Sequence, residues 1–83
     1  MLIVAKTITL CYNIVKMREL AYNLKRIRKE KGETQQTLAE KVGVSSTFIA
    51  NIEQGRRKPS MEIVEKIVDV LKIKPKALFE EIE

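Results

Sequence analysis

Apolar residues recur at two different spacings along this chain. Ile8, Leu10 and Tyr12 alternate with Thr7, Thr9 and Cys11. A period of two in β-favouring residues predicts a short strand, and a lone strand needs a partner. From Met17 onward the spacing changes to three and four. Leu20, Ala21, Leu24 and Ile27 predict an amphipathic helix with Lys and Arg on its other side. Lys29 and Lys31 suit the negative end of its dipole, and Gly32 closes it. Thr34 is an N-cap for a second helix over 35–42, whose apolar face is Leu38, Ala39 and Val42. Gly43 breaks that helix. Ser45 caps a third over 46–54, with Ile49 and Ile52 inward, and Gly55 stops it. Pro59 and Ser60 introduce a fourth over 61–71, with Met61, Val64, Ile67 and Leu71 turned to the core. Pro75 suits the first turn of a fifth over 75–82, anchored by Leu78 and Phe79. The pattern predicts an all-α fold of five helices. One domain spans 19–83, and an N-terminal extension over 1–18 carries the expected strand.

Composition narrows the chemistry. With 83 residues, 45% hydrophobic and 33% charged, the chain is one small domain, too apolar for a disordered tail and too polar for a membrane bundle. There is no His, which removes Ser-His-Asp, Cys-His and His-based zinc sites. The single cysteine, Cys11, permits no intrachain disulfide and suits a reducing cytoplasm. Glu80, Glu81 and Glu83 cluster at the C-terminal end, without the burial that tunes a catalytic carboxylate. No phosphate-binding loop and no metal-ligand spacing occurs. The expectation is a protein that is not an enzyme and uses no cofactor and no metal. No run reaches the ~18 apolar residues of a membrane helix. Lys6 interrupts the apolar start, with no basic segment before it and no small-residue cleavage site after it, so neither a leader nor a membrane anchor is expected.

The net charge of +5 is unevenly spread. Lys25, Arg26, Arg28, Lys29 and Lys31 form one basic cluster, and Arg56, Arg57 and Lys58 form another. Taken alone, such clusters are either solvated faces or a surface for a polyanion. Residues 35–54 lie between them: QQTLAEKVGVSSTFIANIEQ. Two short helices are joined there by a tight turn at Gly43. Small Ala39 lets the third helix cross close over the second, Gly43 can adopt a left-handed backbone, and Val44, Ile49 and Ile52 fill the wedge. This is the pattern of a helix-turn-helix, whose second helix enters the DNA major groove. The plainer alternative is an ordinary helical hairpin in a bundle.

The segments LKRIRKEKG at 24–32, TQQTLAEKVGVSSTFIANIEQG at 34–55 and RKPSMEIVEKIVDVLKI at 57–73 resemble the Cro/phage-repressor type of helix-turn-helix regulators, also called xenobiotic-response-element-like. The resemblance covers about residues 20–79. It implies a compact five-helix, lambda-repressor-like domain that binds double-stranded DNA and regulates transcription. It also implies roles for individual residues. Gln35 would contact a phosphate at a helix amino end, where dipole and free N–H groups favour an anion. Ser45, Ser46, Thr47 and Asn51 would reach base edges, with Ser45 also an N-cap. Arg56, Arg57 and Lys58 would belong to a loop that lies along the DNA backbone and in the family sometimes enters the minor groove. Arg28 and Glu53 would form a structural pair tying the first helix to the third.

Three features depart from the family pattern. The third helix carries no Arg or Lys on its reading face, position 72 is Lys where the family often has Gly, and residues 1–16 have no counterpart. Those residues are either an upstream-start addition, since Met17 would open a complete domain, or a strand used for self-association. One short recognition helix makes few base contacts, so a homodimer on half-sites ~34 Å apart is expected. Ile63, Val68 and Val70 give the fourth helix apolar surface beyond its core face, available either to such a contact or to the core's flanks. The other functional reading is a protein-binding adaptor, antitoxin-like or coactivator-bridging, built on the same domain.

Overall fold

The computed structural model describes residues 17–80. Helix α1 runs over residues 17–30, α2 over Gln35–Val42, α3 over Ser46–Glu53 and α4 over Met61–Leu71. A 3-10 turn, Pro75–Phe79, follows. The described residues contain no strand. The strand expected within residues 1–16 lies outside them, and residues 17 and 18 already belong to α1.

Helices α2, α3 and α4 each start where a hydroxyl satisfies an orphan backbone donor. Thr34 and Thr37 form a reciprocal box: Thr34 Oγ1 accepts from the Thr37 N–H at 3.0 Å, and the Thr34 N–H donates to Thr37 Oγ1 at 2.9 Å. Ser45 accepts from the Phe48 N–H at 3.0 Å and Ser60 from the Ile63 N–H at 3.3 Å. Helices α2 and α4 end in left-handed cap residues. At the end of α4 that residue is Lys72, with φ 57°. Its N–H donates to Asp69 O at 3.3 Å and the Ile73 N–H donates to Val68 O at 3.1 Å. The hydrogen-bond pattern of a glycine-terminated helix is therefore kept by a lysine, at a conformational cost of roughly 1–2 kcal/mol.

The core sits where α1 and α4 close over the α2–α3 pair. Leu24, Leu38, Ile49, Ile67 and Leu78 are fully excluded from solvent, each stabilising by roughly 1.5–3 kcal/mol. Val68 joins this core, while Ile63 and Val70 pack against its edge. Ile63 and Val70 thus lie on the core's flank.

Two expectations are corrected. Met61 is 71% exposed, not inward. It is the first residue of α4, and helical side chains lean toward the N-terminus, so this one projects past the end of the core. The fifth helix is a 3-10 turn that ends at Phe79, and Glu80 is extended. Buried Asn23 on α1 explains the ending. Its Nδ2 donates to Leu78 O at 3.0 Å and to Glu80 O at 2.9 Å. The Leu78 carbonyl, which a continuing α-helix would have used for its own ladder, is held by Asn23 instead.

Candidate nucleic-acid interface

The turn between α2 and α3 sets the geometry of the site. Gly43 has φ 92°, and its N–H and that of Val44 both donate to Ala39 O, at 2.8 and 3.0 Å. A side chain at that φ is strained. Ala39 beneath the turn is 2% exposed, and its small size allows α3 to cross closely. Ile49 and Ile52 seal the inner side of α3.

The opposite side of α3 is polar. Ser45, Ser46 and Thr47 are exposed and Asn51 is half-buried. At 100° per residue, Thr47 and Asn51 fall on one face, away from Ile49 and Ile52. The face presents hydroxyl and amide groups, which can donate and accept. The described structure places no other element over the hydroxyls.

Glu53 closes one flank of that face. Its carboxylate accepts from Arg28 Nε at 2.6 Å and Arg28 Nη2 at 3.1 Å. Gln35 Nε2 adds a third donor at 3.2 Å. Arg28 Nη1 also donates to Glu33 O at 2.7 Å. Both charged side chains are nearly sealed, 7% and 2% exposed. A carboxylate at a helix C-terminus opposes the dipole, and the guanidinium fork offsets this while joining α1 to α3. Gln35, expected at a phosphate, stands half-buried at the start of α2 with one amide hydrogen on Glu53. The second amide hydrogen is left for another acceptor.

Phe48 closes the other flank. It is packed against the core edge, and the Arg57 guanidinium carbon lies 5.0 Å from its ring centroid. The loop carrying Arg57 folds back over α3, because the Arg56 and Arg57 N–H groups both donate to Asn51 O, at 2.9 and 3.3 Å. Arg56, Arg57 and Lys58 are all exposed.

The cluster on α1 is weaker than its count of cations suggests. Arg28 is buried in its ion pair and Arg26 pairs with Glu30 at 2.9 Å, so Lys25, Lys29 and Lys31 remain as exposed charge. Between α1 and α2, Glu33 pairs with Lys41 and accepts from Thr37 Oγ1 at 2.6 Å. The Lys41 and Thr37 hydrogen bonds hold its carboxyl below the ordinary 4.5. Sequence reasoning did not find the Gln35–Glu53 bond or the Phe48–Arg57 stack. The available signal for the stack was an aromatic residue in α3 shortly before a basic loop.

A helix-turn-helix family model, HTH_3, matches residues 24–78. The HTH-type transcriptional regulator SinR of Bacillus subtilis is 35% identical over 63 residues, covering 75% of this chain and 57% of SinR. The immunity repressor protein of Bacillus phage phi105 is 40% identical over 55 residues, covering 66% of this chain and 38% of the repressor. The chain thus spans little more than half of the first relative and less of the second. The restriction-modification controller protein C.AhdI from Aeromonas hydrophila is similar in structure, with a TM-score of 0.73 and 30% identity over 76% of this chain and 96% of that one.

Proposed function

The chain belongs to the HTH_3 helix-turn-helix family, and from that premise we propose that it is a small transcriptional regulator that binds duplex DNA as a homodimer, with α3 in the major groove. The observation that carries this reading is the polar face of α3, whose hydroxyls are exposed and whose Asn51 amide is half-buried. Ser46, Thr47 and Asn51 read base edges, and Ser45 does so beside its capping role. Asn can bond adenine bidentately, and Ser and Thr serve several bases. Gln35 and the basic loop of Arg56, Arg57 and Lys58 meet phosphates on either side. Arg28 and Glu53 hold α3 at the angle that presents this face.

A dimer supplies the second half-site that one short helix lacks, with centres ~34 Å apart. The binding domain takes in α1 from residue 17 onward, with 35–54 as its motif. The chain acts on DNA in the cytoplasm and performs no catalysis. No helix among the described residues is long and apolar enough to cross a membrane.

Selection of bound sequences from a randomised duplex pool tests this reading. The expected product is a two-fold symmetric site, with affinity falling steeply as salt rises, by about 0.9 log unit per log unit of salt for each phosphate neutralised. Retention of the pool without enrichment, or no retention at all, overturns it.

A further inference from the structure

Arg57 stands apart from its two loop neighbours. It lies beyond the end of α3, yet its guanidinium carbon sits 5.0 Å from the ring of Phe48, in the first turn of that helix. From the last residue of α3 back to Phe48 is five residues, or about 7.5 Å of helix. The side chain therefore runs back along α3 instead of outward from the loop. Two constraints support this course. The Arg56 and Arg57 N–H groups are both fixed on Asn51 O, and Phe48 is anchored on its other side by the core. Phe48 is about 60° round the helix from Asn51, so the guanidinium is carried to the edge of the polar face. That face has no cation of its own.

We infer that Arg57 reads a base edge beside Asn51, with guanine as its target, and that Phe48 is the positioning residue that holds it there. This rests on the DNA-binding reading above and moves Arg57 out of the phosphate set. The chemistry fits. A guanidinium stacks on an aromatic face while its planar edge stays free to donate. Arg donating bidentately to guanine O6 and N7 is the commonest specific contact in the major groove. An arginine held in place surrenders less side-chain freedom on binding than one that must first be ordered.

The test compares variants on the duplex selected from the randomised pool and on a random duplex of equal length. Arg57→Lys keeps the charge and loses the fork. It is expected to weaken binding to the selected duplex by ~10-fold or more, to leave random duplex within about twofold, and to keep the salt slope. Phe48→Tyr preserves the ring and is expected to retain selectivity. Phe48→Leu preserves apolar packing without the ring, is expected to lose part of the selectivity, and should shrink the effect of Arg57→Lys in the double variant. Equal behaviour of Arg57→Lys and wild type on both duplexes, or equal loss on both, overturns the inference and returns Arg57 to the phosphates. An undiminished Arg57→Lys effect in the Phe48→Leu background removes Phe48's role. A wild-type protein without sequence preference overturns the underlying DNA-binding reading, and this inference with it.

Discussion

The two flanks of α3 are built from opposite materials. On one side Glu53 and Arg28 form a nearly sealed ion pair at 2.6 Å, with Gln35 as a third donor. On the other, an exposed arginine rests on a partly covered ring at 5.0 Å. The first contact joins helices far apart in sequence, and removing one partner leaves a charge in a dry place. The second joins a helix to its own following loop, and its arginine can return to water while Phe48 stays on the core edge. One flank fixes where α3 stands, and the other adjusts what stands beside its polar face. Damage to the first should therefore appear in stability, and damage to the second in binding.

The strongest way to break this contrast is Glu53→Ala. It strands the Arg28 guanidinium and should cost about 3–5 kcal/mol in denaturant unfolding. The paired change Arg28→Met with Glu53→Leu should recover much of that loss, because no buried charge is left. A loss below ~1 kcal/mol for Glu53→Ala would mean that the flank is not the anchor described.

A change away from both flanks supplies a reference. Lys72→Gly relieves the left-handed cap of α4 and should stabilise by about 1 kcal/mol, seen as a higher unfolding midpoint, with DNA affinity unchanged. Arg57→Met should alter stability by less than ~1 kcal/mol, as expected for an exposed cation–π pair, while changing DNA binding. If its stability cost matches that of Glu53→Ala, the two flanks do not differ in kind.

The smallest expected effect concerns pH. The Glu33 carboxyl is held below 4.5, chiefly by Lys41 and Thr37. A lowered folded-state value means that the stabilisation is present above the unfolded value and is lost as pH falls through the folded one. Unfolding midpoints followed from pH 6 to 3 should show Lys41→Met with a shallower acid decline than wild type. An identical decline would remove this contribution.

Much of this architecture is written in local signals. Thr34, Ser45 and Ser60 each precede a helix and each caps it, because capping depends only on the following three residues. Leu24, Leu38, Ile49 and Ile67 lie in the core as their spacing requires. What could not be read depends on partners distant in the chain. Asn23 reaches 55 and 57 residues ahead to shape the C-terminal turn, and nothing near position 23 announces it. Met61 has the period of a core residue but lies past the core's end, a fact of tertiary placement. The α4 terminus shows the reverse case. Lys72 departs from the expected glycine, yet the surrounding helix imposes the same left-handed cap. At the candidate site, the exposed polar face follows from helical spacing alone. The stack of Arg57 on Phe48 required the loop's fold-back onto Asn51, which spacing does not encode.

Asn51→Ala tests most directly whether the outward face of α3 reads sequence. Its affinity should be compared with wild type on the duplex selected from the randomised pool and on a random duplex. A loss of ~1–3 kcal/mol confined to the selected duplex is the predicted result. Equal losses on the two duplexes, or none on either, would contradict it.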